Sequence, residues 1–375
     1  VGAFFFFCPS VVGSIFCYFD PSNHFSLPLK TLTLLQPGHF KFNDTVFDPS
    51  LTNGQALVRL SCIGICGTDL HAYQGNQPFF SYPRVLGHEL AVEILALQGD
   101  PHGLKVGDYC AVEPYLDCGE CQACRRGLTN CCEKLQVLGV HTDGGMVEYL
   151  KIPTGKLHPS NRLKKEQLAL VETLAIGGHA VERAELTSED MVLVVGAGPI
   201  GLSVIEFVKR SGATLVVADR DENRLRFCRE KMGVEQTVLA VEDLTLELRE
   251  AMQGNLPTVV FDATGNPNSM MKSFDYCAHG GKLVFVGLFQ GDVSFHDPSF
   301  HRKELTLLAS RNATSHTFRT IINAIENGRM DTTPWITHRV AFDSLPDIFP
   351  TLLKPESVVI KAIVEMPTLS GSVVG

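Results

Sequence analysis

The sequence predicts an α/β protein of two parts: a β-rich domain and a doubly wound parallel sheet. Three observations predict it. From Thr31 to about Val171, short apolar runs alternate with Gly and Pro, as in QALVRLSCIG, LAVEILAL, DYCAVEPY and MVEYLKI, and these read as strands. From about Asp190, MVLVVGAG and TLVVADRD read as buried strands separated by GPIGLSVIEFVKRSG, whose apolar spacing is helical. The alternation runs on through ENRLRFCREKMG, TVVFDATG and KLVFVGL, the pattern of a parallel sheet covered by helices. After Leu288 the rhythm breaks, and ELTLLAS, TFRTIINAIENG and VVIKAIVEM read as a return to the first domain.

Composition narrows the class. The chain has 375 residues, 45% hydrophobic and 19% charged, with a net charge of −9. An acidic surface argues against a partner that is bound by neutralising phosphates, so no nucleic acid is expected. The 12 cysteines cluster rather than spread as a disulfide framework, and a chain this long buries its own core. Reduced thiols, and hence a cytoplasmic protein without a membrane partner, are the expectation. The stretch VGAFFFFCPSVVGSIFCYF is apolar but lacks helical spacing, is broken by Pro9 and has no basic flank. Residues 1–30 are expected to be an extension outside the fold; a signal or anchor segment is the alternative.

In VVGAGPIG, Gly196, Gly198 and Gly201 form G-x-G-x-x-G between an apolar strand and a helix. Glycines there let the backbone approach a pyrophosphate, and the helix N-terminus offers free N–H groups and a positive dipole end. The next strand ends at Asp219, whose carboxylate suits ribose hydroxyls and repels a 2′-phosphate, so NAD is expected over NADP. Arg224, one turn into the following helix, is a candidate for the adenine or ribose side.

The loop CGECQACRRGLTNCC offers Cys118, Cys121, Cys124, and then Cys131 or Cys132. Four soft thiolates on one loop describe a closed, structural zinc site. An iron–sulfur cage is disfavoured because ferredoxin loops continue with x3-C-P. Two adjacent cysteines do not easily enter one tetrahedron, and the spacing alone does not choose between them.

A second donor set is spread along the chain. GICGTDLH carries Cys66, Thr68, Asp69 and His71; VLGHE carries His88 and Glu89; LVETLA carries Glu172. One thiolate, one imidazole and one or two carboxylates form an open zinc site that keeps a position for substrate.

These motifs, with DGGMVEYL and ASRNAT in the same order, resemble the zinc-dependent medium-chain alcohol and polyol dehydrogenases, from Thr31 to Met366. The resemblance implies a GroES-like catalytic domain, residues 31–175 and 308–375, into which a Rossmann NAD-binding domain, residues 176–307, is inserted. It implies two zinc ions per chain and the x7 spacing that makes Cys132 the fourth structural ligand. It assigns Cys66, His88 and Glu172 to the catalytic zinc, with Glu89 behind the metal and able to exchange onto it. Asp69 matches the acid that orients the ligand histidine. Thr68 matches the hydroxyl that takes the substrate proton, and His71 the terminal base. The family has Pro after the liganding Glu, where this chain has Thr173. Subunit pairing as a homo-dimer or homo-tetramer, around KLVFVGL, is implied as well.

The stretches GNQPFFSYPRVLGHE and DPSFHRKELTLLASRNAT resemble the L-galactonate and L-gulonate 5-dehydrogenases, which oxidise C5 of a hexonate. A hexonate carboxylate calls for a cation, best the planar fork of Arg. Arg311 is the first candidate, then Arg84 and Lys303, with Asn312 for a hydroxyl and Tyr73, Phe79 and Phe80 shaping the pocket. The alternatives are a neutral polyol dehydrogenase of the sorbitol or butanediol kind, and a zinc- and nucleotide-binding protein without turnover.

Overall fold

The computed structural model describes residues 18–19, 25–77, 80–240 and 243–367. Among these residues two large sheets organise the chain. The first is seven-stranded, ordered Leu157–Pro159, Tyr109–Val112, Glu89–Gln98, Gln55–Ile65, Lys361–Glu365 and Ile336–Ala341, with Tyr149–Pro153 also paired to Gln55–Ile65. The four apolar runs read as strands all lie in it. So does VVIKAIVEM, which places Ala362 opposite Ile65 and brings the end of the chain back to the first domain.

A smaller sheet lies on its N-terminal side. Phe25–Gln36 pairs with His39–Phe47, and Arg84–Val85 adds to it. The strand starts ahead of Thr31, with Lys30 opposite Asp44. The boundary expected at residue 30 therefore falls inside a paired strand; residues 1–17 and 20–24 of the expected extension lie outside the described residues.

The second large sheet is parallel and six-stranded, ordered Gln236–Leu239, Thr214–Asp219, Met191–Val195, Val259–Asp262, Lys282–Phe285 and Thr306–Ala309. In chain order this is 3-2-1-4-5-6, the doubly wound arrangement with its ligand crevice between strands 1 and 4. Val192, Leu193 and Val194 are fully buried, as a strand covered on both faces requires. Two expectations need correcting. ELTLLAS does not leave this sheet: Thr306–Ala309 is its sixth strand, so the division at 307/308 cuts through an element. The KLVFVGL strand, Lys282–Phe285, is internal, hydrogen-bonded on both sides, and the sheet edge at that end is Thr306–Ala309.

The helix Val171–Ala184 joins the two parts. Its buried Val171, Leu174, Ala175 and Ala180 share one core with Leu202 and Ile205 of the helix Pro199–Ser211 and with Phe318 and Trp335. Its first turn carries Glu172 and Thr173, and the Thr173 hydroxyl accepts from Lys361, the first residue of the strand Lys361–Glu365.

Candidate active site

The strand Gln55–Ile65 ends where Cys66 caps the short helix Gly67–Gln74. Asp69, fully buried, sits at the third helical position and accepts from the Cys66 N–H at 2.9 Å. Its other oxygen accepts from Gly87 N–H at 3.4 Å. One carboxylate thus ties the turn bearing Cys66 to the turn bearing His88. Asp69 Oδ1 lies 3.8 Å from His88 Nδ1, beyond hydrogen-bond range, and Nδ1 has no partner among the described residues. Asp69 therefore acts on His88 through charge and through Gly87 rather than by a direct hydrogen bond.

Cys66 Sγ, a ring nitrogen of His88 and a Glu89 oxygen all lie within 4.8 Å of one another. Glu172 is outside that group; its Oε1 accepts from the Tyr115 hydroxyl, and both residues are buried. Glu89 is fully buried and opposite Gly64 in the strand pairing. A Cβ on Gly64 would come 2.0 Å from Glu89 Oε2, so only glycine leaves room for that carboxylate. Burial pulls the His88 imidazole pKa down, but the Cys66 sulfur, Asp69 and Glu172 outweigh it and hold the ring well above its ordinary range. This much anionic potential around an imidazole and a thiol is what a divalent cation neutralises on binding, so the residues fit one.

The cysteine loop forms a second cluster. The sulfurs of Cys118, Cys121, Cys124 and Cys132 lie within 4.8 Å of one another, the separation a tetrahedral thiolate site needs, whereas Cys131 is exposed and points elsewhere. Backbone N–H groups face the sulfurs: Cys118 and Lys134 each donate to Cys132 Sγ at 3.3 Å, and Cys121 to Cys118 Sγ at 3.4 Å. Donors from Cys124 and Glu133 push the Cys121 thiol down to about 6, favouring the thiolate.

At the crevice of the parallel sheet, Gly196 has φ +96° and packs on Thr264 of the neighbouring turn. A Cβ on Gly201 would sit 1.7 Å from the Gly196 carbonyl, so the tight strand-to-helix turn requires glycine there. Gly198 caps the helix Pro199–Ser211, with Arg224 Nη1 3.7 Å from where its Cβ would lie. Arg224 thus spans the glycine turn, 3.7 Å from Asp219.

Residues 52–162 match the alcohol dehydrogenase GroES-like domain, and residues 199–327 match the zinc-binding dehydrogenase domain. The L-galactonate-5-dehydrogenase of Escherichia coli K12 is 44% identical over 297 residues, 79% of this chain and 87% of that protein. The chain belongs to the zinc-binding alcohol dehydrogenase family. Solved structures share its fold. An alcohol dehydrogenase from Escherichia coli CFT073, complexed with NADH, superposes with a TM-score of 0.82 at 27% identity, over 90% of this chain and 99% of that one. The L-idonate 5-dehydrogenase of Escherichia coli gives 0.81 at 25% identity, over 91% and 99%. This dehydrogenase is accordingly an oxidoreductase of a zinc-binding family.

Around these centres the dehydrogenase places the other expected residues unevenly. Arg311 is exposed, and its carbonyl accepts from the buried Asn130 side chain at 3.1 Å. Asn312 holds φ +52°, and its Nδ2, like Ser310 Oγ, is buried without a protein partner among the described residues. Burial, Arg311 and Arg84 together push the His141 pKa down. The loop bearing His141 hydrogen-bonds to Val85, Leu86 and Gly87, immediately before His88. Lys303 instead caps a helix end, donating to the carbonyls of Asp275 and Cys277 at 2.8 Å, which removes it as a carboxylate partner. Tyr73 packs on Phe40 and Phe349, and Phe80 on Tyr82, so both serve the core; Phe79 lies outside the described residues.

Sequence reasoning missed Tyr115, Lys361 and the Asn130–His179 pair, whose nitrogens are 3.0 Å apart. Only Lys361 gave a signal, as a charge inside the apolar run VVIKAIV.

Proposed function

We propose that this dehydrogenase oxidises the C5 hydroxyl of a hexonate of the L-galactonate or L-gulonate kind with NAD. The observation that carries the reading is the row Ser310–Arg311–Asn312. Ser310 Oγ and Asn312 Nδ2 are buried without a partner among the described residues, and Arg311 between them in the chain is exposed, its charge acting on His141 of the loop that hydrogen-bonds to the residues before His88. Buried polar groups are rarely left unpaired, and this set suits a polyhydroxy acid. The 44% identity to an L-galactonate-5-dehydrogenase supports the same substrate class.

In this reading Cys66, His88 and Glu172 hold the catalytic zinc, and Cys118, Cys121, Cys124 and Cys132 the structural one. Glu89, whose two oxygens are both engaged by Lys361, stays behind the metal. Zinc, when bound, supplies a Lewis acid that lowers the pKa of an alcohol, and nicotinamide accepts a hydride. C5 loses a hydride, its hydroxyl loses a proton, and a keto acid remains. Thr68, two residues past Cys66, relays the proton, its hydroxyl accepting it while giving up its own toward His71. His71, three residues on along the same helix face and exposed, passes it to solvent. Gly196, Gly198, Gly201, Asp219 and Arg224 hold NAD.

Replacing Arg311 tests the carboxylate contact. Two charge-assisted hydrogen bonds are each worth about 1.5–3 kcal/mol, so Arg311→Met is expected to cost on the order of a hundredfold in kcat/KM for the hexonate. A neutral polyol turned over slowly should be spared, and NAD titration unchanged. Equal loss on both substrates with weakened NAD binding would move Arg311 to the cofactor and remove this support.

A further inference from the structure

Lys361 opens the strand Lys361–Glu365 and is only 1% exposed. Its ammonium donates to both Glu89 oxygens at 2.6 and 2.8 Å, to Thr173 Oγ1 at 3.1 Å and to the Ile65 carbonyl at 3.3 Å. Each acceptor is the chain neighbour of a residue assigned above to the metal. Ile65 precedes Cys66, Glu89 follows His88, and Thr173 follows Glu172.

We propose that Lys361 is a positioning residue for the catalytic metal centre: its ammonium joins the three ligand-bearing segments and keeps the Glu89 carboxylate off the cation. The inference rests on the assignment of Cys66, His88 and Glu172 as ligands. Two of the three segments are already fixed to each other, because Gly64 and Glu89 are paired in the sheet. The third, the first turn of the helix Val171–Ala184, lies outside that sheet. The Thr173 hydroxyl is its link to Lys361, where a proline ring would offer no acceptor.

Glu89 is the other half of the argument. It is fully buried, and one of its oxygens is within 4.8 Å of the Cys66 and His88 ligand atoms. Without Lys361 it would be an uncompensated buried charge, which a protein tolerates poorly. The nearest cation left to it would be the metal. A carboxylate that moved there would add a ligand beside the position an open catalytic site keeps for substrate, raising the coordination number and crowding that position.

The test uses protein with zinc kept in the four-cysteine loop and cobalt(II) at the second centre. Visible absorption then reports the number of ligands at that centre. Lys361→Met is expected to weaken the cobalt bands as Glu89 raises the coordination number, and to lower kcat by roughly 10–100-fold, the usual cost of losing an outer partner of a metal site. Lys361→Met/Glu89→Gln, which removes both charges, should restore the wild-type spectrum and most of kcat. Thr173→Val keeps the ion pair and is expected to weaken metal retention against a chelator by about tenfold. A Lys361→Met spectrum identical to wild type, or a double variant that recovers thermal stability without recovering the spectrum, would overturn the proposal. If Lys361→Met does not fold, the double variant and Thr173→Val carry the test, and unchanged metal retention in Thr173→Val overturns it. Failure of the ligand assignment looks different: the cobalt bands at the second centre would then survive Cys66→Ser.

Discussion

At Asp219 both carboxylate oxygens already accept from backbone N–H groups, Oδ2 from Ala197 at 2.6 Å and Oδ1 from Asp221 at 2.8 Å. Each oxygen keeps a second lone pair, so the group can hold the glycine turn and still accept from a ribose hydroxyl. The same negative charge repels a 2′-phosphate. Asp219→Ser is expected to move the ratio of kcat/KM for NAD over that for NADP towards NADP by about tenfold or more, the value of one charge-assisted hydrogen bond. Steady-state kinetics with both cofactors checks it, and a wild type that already prefers NADP would take Asp219 away from the ribose. Residues of this kind were legible in the sequence because motif and neighbouring elements agree on their place. Glu172, Tyr115 and Lys361 were harder. A carboxylate in an apolar run does not disclose that a tyrosine 57 positions earlier donates to it, and a lone lysine in a strand does not name its acceptors. Such contacts are set by which strands pair and how a helix lies across them.

The elements that hold the two metal centres are expected to fail differently. The four-cysteine loop has little regular structure of its own beyond the short helix Gln122–Arg125 and the turn Thr129–Cys131, so a metal held there would substitute for a core. Cys121→Ser is expected to lower Tm by roughly 10 °C or more. Cys66→Ser should reduce zinc from two per chain to one and abolish turnover while Tm stays near wild type. Metal analysis beside thermal unfolding separates the cases, and equal loss of fold in both variants would contradict two distinct roles.

A second element-scale link is polar. Glu113, fully buried, accepts from Lys156 at 2.7 Å and Ser315 at 2.6 Å, and pairs with His158 at 3.1 Å. It thereby ties the β-rich domain to the helix Ser315–Glu326, which follows the sixth parallel strand. Burial raises its pKa, but His158, Lys156 and Ser315 outweigh burial and hold it below the ordinary range. A carboxyl lowered in the folded state contributes stability that is fully present above its unfolded pKa of about 4.3 and is lost as pH falls through the folded value. Glu113→Gln is therefore expected to destabilise by about 3 kcal/mol at pH 7, with the difference from wild type shrinking below about pH 4. Denaturant unfolding across pH checks this; a difference independent of pH would contradict it.

For the whole molecule, the two-part architecture was readable because each part has its own period: alternating short strands in one, strand–helix repeats in the other. The joints were not. Thr306–Ala309 carries the same short apolar pattern whichever sheet it joins, and only pairing with Lys282–Phe285 assigns it. The described residues contain no helix long and apolar enough to cross a membrane. What joins the parts is the helix Val171–Ala184, with the buried Glu172 at its start and the parallel-sheet helices against its body. The claim that depends on this whole arrangement is hexonate oxidation, and wild-type kinetics test it most directly. NAD reduction is followed optically across L-galactonate, L-gulonate, sorbitol and butanediol at matched zinc content. The account predicts that kcat/KM for a hexonate exceeds that for either neutral alcohol by on the order of a hundredfold, the worth of a buried carboxylate contact. A neutral polyol turned over as well as or better than both hexonates would contradict it.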